Sequence, residues 1–418
     1  MKTVGIIAEY NPFHTGHEYQ INYVRQALGA DYIVVAMSGD FVQRGTPALL
    51  PKHQRAKMAL CCGADLVLEL PVSVSTASAE LFARGGVQLL DGLGVVDELC
   101  FGSECGDGRC LMELAKILVR EPKEYQRRLR DYLKKGMSFP SARCEALEEY
   151  AALESEESGL QSFGGDIRDI LSSPNNILGI EYCKALLREK SSMKPAVLLR
   201  KGSDYHADTL KQGQFPSASA IRRAVLSPSD SQAPQDFSGW IPDACLELFL
   251  ASVKKGEYLA EEDFDPIYRY CLLRENPESL CRYLDMSEEL ARRILARRGQ
   301  YKTFSQFAGL LKTKELTLTR IQRALLHMLL GICQAPNRVP FARVLGFRRA
   351  SAPLLAEIKK RGTLPLITKL PDAPDILAAD ALELLEENTF SSNLYQSLLA
   401  AKTRQEFRHE YEKAVVII

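Results

Sequence analysis

Three short apolar runs near the amino end constrain this chain more than any other feature: Thr3 to Ala8, Tyr32 to Met37 (YIVVAM) and Asp65 to Leu70 (DLVLEL). Glu98 to Phe101 reads as a fourth, and Pro195 to Leu199 (PAVLL) as the last of the series. Between them lie stretches of helical spacing, Tyr19 to Leu28, Lys52 to Cys62 and Ala79 to Leu90. A strand that is apolar on both faces has to be covered on both. Runs of this kind alternating with helices therefore predict an α/β fold, a doubly wound parallel sheet of Rossmann-like type. Such sheets bind ligands in the loops beyond the carboxyl ends of their strands.

A chain of 418 residues is too long for one domain of the common size, about 150 residues. Leu111 to Leu118, Lys123 to Lys135 and Ser141 to Leu153 are helical and heavily charged, which predicts a helical insertion over about 109–165. Ser227 to Ser238 (SPSDSQAPQDFS) has little to bury and marks a domain boundary. The expectation is an α/β domain over 1–230 and, from the helical spacing after Ala244, an all-α domain over 236–418.

Lysine plus arginine and aspartate plus glutamate number 53 each, so net charge by itself points to no polyanion partner. The balance is uneven along the chain. Ser287 to Arg361 carries sixteen Lys/Arg against four Asp/Glu, interleaved with aromatic and apolar residues (RRGQYKTFSQF, ARVLGFRR), and this predicts a face that binds a polyanion. No apolar run approaches the roughly 18 residues of a membrane span, and Glu9 ends the first apolar run without a leader-peptide pattern. A cytoplasmic protein is expected, its eleven cysteines reduced. Cys100, Cys105 and Cys110 lack a fourth ligand of suitable spacing, so no metal held by protein ligands is expected. The charge balance is compatible with any oligomeric state.

Chemistry concentrates after the first strand, in Glu9-Tyr10-Asn11-Pro12-Phe13-His14-Thr15-Gly16-His17. This loop closes a strand and opens a helix, where amide N–H groups and the helix dipole favour an anion. His14, His17 and the Thr15 hydroxyl add donors, and Gly16 lets a ligand approach the backbone. Ser217-Ala218-Ser219-Ala220-Ile221-Arg222 is a second helix start, with Ser217 or Ser219 as N-cap and Arg222 as a charge-assisted donor. Asp40, Gln43 and Arg44 follow the second strand, either as groups closing over a substrate or as a solvated turn. His53 and Arg55 are weaker candidates, and His206, His327 and His409 read as structural.

GIIAEYNPFHTGH resembles the ATP-binding signature of the nucleotidyltransferase superfamily, which shares its fold with class I aminoacyl-tRNA synthetases, and Ser217 to Arg222 is similar to that superfamily's second phosphate-binding motif. Further motifs resemble one family in particular, the bacterial tRNA(Met) cytidine acetate ligases. They are Ser38 to Gly45 (SGDFVQRG), Pro174 to Gly179 (PNNILG), Arg200-Lys201-Gly202 with Tyr205-His206, and Lys312-Thr313-Lys314 through Thr319 to His327. The resemblance covers nearly the whole chain.

It implies an enzyme that joins acetate and ATP, with Mg²⁺, into acetyl-adenylate. The acetyl group then passes to N4 of the wobble cytidine of elongator tRNA(Met). It also implies ATP contacts at Ile7, Ala8, Glu9, Tyr10, Asn11, Pro12, Phe13, His14, Thr15, Gly16, His17 and Gln20, and at Gly102, Asn175, Arg200, Lys201, Ser217, Ser219 and Arg222. His14, His17 and Asp40 are the implied catalytic residues, with Gln43 and Arg44 in a substrate loop and Lys312, Lys314, Arg320 and Arg323 on tRNA. For Asn175, a helix N-cap is the competing assignment. A small-molecule nucleotidylyltransferase and a non-catalytic RNA-binding module remain the alternative functions.

Overall fold

In a computed structural model of the chain, residues 1–153, 167–200, 215–227 and 237–418 are described. They form two compact units, one made of residues 1–96 and 201–418, the other of residues 97–200.

The first unit is built on β1 (Thr3–Ala8), β2 (Tyr32–Ser38) and, after a short ribbon of β3 (Phe41–Val42) with β4 (Thr46–Pro47), β5 (Leu66–Leu70). β1 pairs parallel with β2, Gly5 opposite Val34, and β2 pairs parallel with β5, Val34 opposite Leu66. All five residues of β5 are buried, as the unbroken apolar run requires. Helices α1 (Thr15–Gln26), α2 (Lys52–Cys61), α3 (Val72–Ser75) and α4 (Ala79–Asp91) connect and cover these strands.

In the second unit, β6 (Glu98–Ser103) pairs parallel with β7 (Lys194–Leu199), Gly102 opposite Leu198. The intervening chain supplies helices Gly108–Arg120, Lys123–Lys134, Phe139–Leu153, Ile167–Ser172 and Pro174–Arg188. Most of the expected insertion is therefore helical, and residues 154–166 of it lie outside the described residues.

The carboxyl half corrects one expectation, because it is not all-α. β8 (Ala342–Phe347) pairs antiparallel with β5, β9 (Leu366–Ile367) pairs parallel with β8, and so does β10 (Val416–Ile417), giving the order β10-β8-β5-β2-β1. The chain beyond residue 200 is thus part of the same compact unit as the first strands. β8 is hard to see in the sequence because Arg343 sits inside it and ARVLGFRR reads as a basic run. In the structure Arg343 is buried and neutralised by Glu69 of β5 and by Glu410. The helices of this half, among them Asp265–Arg274, Glu288–Arg297, Phe304–Leu311 and Leu318–Leu330, share an apolar core to which Tyr395 and Leu399 of the long helix Ala379–Thr403 contribute. The expected boundary at 227–238 falls mostly on residues outside those described.

Candidate active site

Beyond the carboxyl end of β1 the chain turns sharply through Tyr10, at φ 49°, and reaches α1 across a cis Asn11–Pro12 bond. His14 is the N-cap of α1 and His17 its third helical residue, and the two imidazoles form a reciprocal capping box. His14 Nδ1 accepts from the Gly16 amide at 3.1 Å, and His17 Nδ1 accepts from the His14 amide at 3.2 Å. An Nδ1 that accepts cannot carry the proton of a neutral ring, so each neutral imidazole holds its proton on Nε2. The ring centroids lie 3.8 Å apart, and Tyr10 and Phe13 pack on His17 from 4.8 and 5.5 Å. A Cβ on Gly16 would come within 2.9 Å of His14 Cε1, so only glycine leaves room for that ring.

Two sequence expectations change here. The first amides of α1 are spent inside the protein, Thr15 on the Trp240 carbonyl and Gly16 and His17 on His14. The Thr15 hydroxyl donates to the Gly239 carbonyl at 3.2 Å. The donors this loop has for an anion are thus the imidazoles rather than a nest of backbone N–H groups or the Thr15 hydroxyl.

The second helix start meets the first. Ser217 caps helix Ala218–Leu226 by accepting from the Ala220 amide at 3.1 Å. Arg222 places Nη1 2.6 Å from the Asn11 carbonyl and Nη2 3.1 Å from Ser219 Oγ. Burial lowers the Arg222 pKa, Glu9 and Glu261 pull it back up, and Arg44 is near enough to lower it further. Tyr19 stacks near Phe215 at 5.2 Å, and Gln20 lies half-buried on α1.

The loop after β2 is laced to the histidine loop. Glu9 Oε1 accepts from the Gln43 amide at 2.9 Å, and Asn11 Oδ1 accepts from the Leu49 amide at 2.8 Å. Fully buried Arg55 donates to the carbonyls of Glu9, Ser38, Gly39 and Leu50 and so ties the ends of β1 and β2 together. Gln43 and Arg44 are half-buried at the tip of the β3–β4 ribbon. There Gly45, at φ 77°, packs against the backbone of Gln322 and Arg323 so closely that a Cβ would lie 2.4 Å from the Arg323 amide nitrogen.

Asp40 takes a different part from the catalytic one expected. It is 1% exposed, its Oδ1 accepts from the Lys52 amide at 2.8 Å and its carbonyl accepts from Ala48. A carboxylate so enclosed shapes the loop through Oδ1, and its Oδ2 has no hydrogen-bond partner among the described residues.

Beneath it lies a buried ionic cluster that sequence reasoning missed. Lys52 Nζ meets Glu69 at 2.6 Å, Glu410 at 3.0 Å and Ser392 Oγ at 2.6 Å, while Arg343 bridges Glu69 at 2.9 Å and Glu410 at 2.7 Å. His53 Nε2 also lies 3.0 Å from Glu410. Burial alone would raise the Glu410 pKa, but Lys52, His53 and Arg343 hold that carboxyl well below the usual range.

In the second unit, Gly102 lies one residue before the end of β6 with the Arg200 side chain across it, its missing Cβ 3.1 Å from Arg200 Cγ. Asn175 is not an N-cap. Ser173 holds that position, and Asn175 Nδ2 donates to Glu104 Oε1 at 2.6 Å. Buried Asn176 shapes the turn after β6, its Oδ1 accepting from Ser103 Oγ and from the Glu104 and Cys105 amides. Glu104 and Asn176 were not read from the sequence, although Asn176 sits inside a motif that was. Lys201, Tyr205 and His206 lie outside the described residues.

Of the expected tRNA contacts, Lys312 and Lys314 are exposed in the turn between helices Phe304–Leu311 and Leu318–Leu330, and Arg320 is half-exposed. Arg323 is instead ion-paired with Asp285 at 2.7 Å and largely covered, which fits a structural role. All eleven cysteines are free thiols, and among the described residues no group of three His, Cys, Asp or Glu side chains is placed to hold a metal. No helix among them is long and apolar enough to cross a membrane.

Residues 1–410 match the model of a family described as HIGH nucleotidyl transferase. A tRNA(Met) cytidine acetate ligase of Acetivibrio thermocellus is 36% identical, with all of both chains covered. One of Clostridium novyi is 37% identical over 94% of this chain and 95% of its own length. Crystal structures of Thermotoga maritima TmcAL, one bound with alpha-thio ATP and one apo, superpose over the full length of both chains with TM-scores of 0.87 and 0.90 at 29% identity.

Proposed function

Since this chain belongs to the tRNA(Met) cytidine acetate ligases within the HIGH nucleotidyl transferases, we propose that it activates acetate with ATP and acetylates N4 of the wobble cytidine of elongator tRNA(Met). The observation that carries this reading is the capping box of His14 and His17, which orients two imidazoles at the amino end of α1 through their Nδ1 atoms.

Acetate is an unactivated acyl donor, so a phosphoanhydride must be broken before an amine can attack it. The acetate oxygen attacks the α-phosphorus, the bond to pyrophosphate breaks, and negative charge grows on the departing oxygens. Two Nε2–H donors held in place beforehand stabilise that charge without reorganising. Mg²⁺ enters as part of the ATP chelate. The dipole of α1 adds a favourable potential, and Arg222 holds the shape of the loop through the Asn11 carbonyl. In the second step the cytosine N4 attacks the acetyl carbonyl carbon, AMP leaves, and N4 loses a proton.

Gly102, Asn175 and Arg200 are the nucleotide contacts assigned to the second unit. Lys312, Lys314 and Arg320 are assigned to tRNA phosphates, where contacts position a nucleic acid rather than specify its sequence. Incubation of tRNA(Met) with the protein, ATP and labelled acetate tests the proposal by nucleoside analysis. Labelled N4-acetylcytidine supports it. Adenylyl transfer to a small metabolite, with no labelled nucleoside, refutes it.

A further inference from the structure

The long helix Ala379–Thr403 ends at Arg404, at φ 55°, and the chain then runs extended to a 3₁₀ turn at Glu410–Glu412. Along this strip Phe407, His409 and Tyr411 alternate with polar residues and form a row of rings, with centroids 6.3 and 5.3 Å apart. Phe407 is 42% exposed and Tyr411 38% exposed, so a face of each ring is open to solvent. Arg408 and Lys413, with Gln405 and Glu406, line an open pocket of about 430 Å³ walled on the other side by Gln396, Leu399, Ala400 and Thr403 of the helix.

Several cations elsewhere in this half are committed. Arg323 pairs with Asp285, Lys402 with Asp263, Arg343 with Glu69 and Glu410, and Arg293 donates to the Leu311 carbonyl. Among the described residues, Arg404, Arg408 and Lys413 pair with no carboxylate. Glu406 and Glu412 offset two of these three cations, and Glu410, the strip's third carboxylate, is buried against Lys52 and Arg343.

The strip is also rigidly placed. Buried Glu410 is gripped by Lys52, His53 and Arg343, its amide donates to Asn393 Oδ1 at 2.8 Å, and Asn393 Nδ2 lies 2.7 Å from His409 Nε2. Lys52 is the residue whose amide holds Asp40, so the aromatic row is fastened to the loop that follows β2. Burial lowers the pKa of the Lys413 ammonium, and Asp40 and Glu410 counter that only in part.

We propose that Arg404–Lys413 is the docking strip for single-stranded RNA: Phe407, His409 and Tyr411 stack unpaired bases of the anticodon loop while Arg404, Arg408 and Lys413 hold their phosphates. Exposed rings interleaved with unpaired cations are the chemistry of single-strand recognition. Bases splayed from a loop stack on aromatic faces, which duplex RNA does not offer. This assignment rests on the tRNA reading above and names where on the chain the loop is held.

The test uses the full chain and an RNA hairpin carrying the tRNA(Met) anticodon loop, with a blunt RNA duplex as control. Anisotropy reads affinity, and acetate-dependent ATP–pyrophosphate exchange reads the first chemical step. The double variant Phe407→Ala/Tyr411→Ala is expected to bind the hairpin at least tenfold more weakly, the loss of about one stacked base. Its exchange activity and its weak duplex binding stay as they were. The aromatic exchange Phe407→Tyr/Tyr411→Phe keeps hairpin affinity within threefold.

Hairpin affinity unchanged in the alanine variant overturns the proposal. So does equal weakening in the aromatic exchange, or loss of pyrophosphate exchange together with RNA binding, since either marks the rings as structural. Wild-type protein that exchanges pyrophosphate yet binds neither hairpin nor tRNA(Met) refutes the tRNA reading itself, a result distinct from failure of the strip.

Discussion

A single methyl group added at residue 16 tests whether the His14 ring works where the structure holds it. In Gly16→Ala the new Cβ lies 2.9 Å from His14 Cε1 and 3.1 Å from Nδ1, and the first of these separations is not tolerated. The backbone around residue 16 is fixed by α1, so the ring has to rotate away. It then gives up the 3.1 Å bond from the Gly16 amide, a cap worth about 1 kcal/mol. Its Nε2–H also leaves the position proposed for a phosphate oxygen. A hydrogen bond to a charged group is worth about 1.5–3 kcal/mol, so ATP affinity should fall by about 10- to 150-fold. Calorimetric titration with ATP reads that loss, and a urea melt reads the cap. The companion His14→Asn keeps a side chain that caps well and removes the imidazole donor, so it should melt like wild type while binding ATP as poorly as Gly16→Ala. ATP affinity within twofold of wild type in both variants would refute the reasoning.

Other outcomes follow from the buried charges. Arg343→Met leaves Glu69 and Glu410 short of a partner in the interior and should cost about 3–5 kcal/mol in a urea titration. Because the folded pKa of Glu410 is depressed, its stabilisation is present above the unfolded value near 4.3 and disappears as pH falls through the folded value. Glu410→Gln should therefore lower the urea midpoint at neutral pH and flatten its decline below about pH 4. Glu387 behaves in the opposite sense. Burial pushes its carboxyl up to about 6, so ionising it at pH 7 opposes folding, and Glu387→Gln should raise the midpoint at pH 7 but not at pH 4. Replacing Lys312, Lys314 and Arg320 with Ala should weaken tRNA binding and reduce its salt dependence while leaving pyrophosphate exchange intact, whereas Arg323→Ala should mainly lower the melting temperature.

What the sequence revealed and what it concealed divide along physical lines. β1, β2 and β5 were readable because burial on both faces demands unbroken apolar runs, and the structure pairs them in parallel as that pattern predicts. The histidine loop and Ser217 to Arg222 were readable as helix starts, and Arg222 on the Asn11 carbonyl joins them. β8 escaped because its pattern is broken by Arg343, whose acceptability depends on Glu410, 67 residues further along. Arg55 read as a weaker site candidate at a helix start, yet its guanidinium is spent on the carbonyls of Glu9 and Ser38, beyond β1 and at the end of β2. Asp40, Thr15 and Arg323 had the right chemistry for the roles expected of them, but the fold gives each a partner inside the protein, two of them far along the chain. His409 was passed over because a single histidine carries no pattern. Its meaning comes from the rings of Phe407 and Tyr411 beside it.

In the proposed reaction the capped imidazoles of α1 grip the triphosphate. A crystal of the protein grown with a non-hydrolysable ATP analogue tests it most directly. Phosphate oxygens are expected within hydrogen-bonding distance of Nε2 of both His14 and His17, with both Nδ1 bonds preserved. A triphosphate bound away from that loop, with neither ring touching it, would contradict the account.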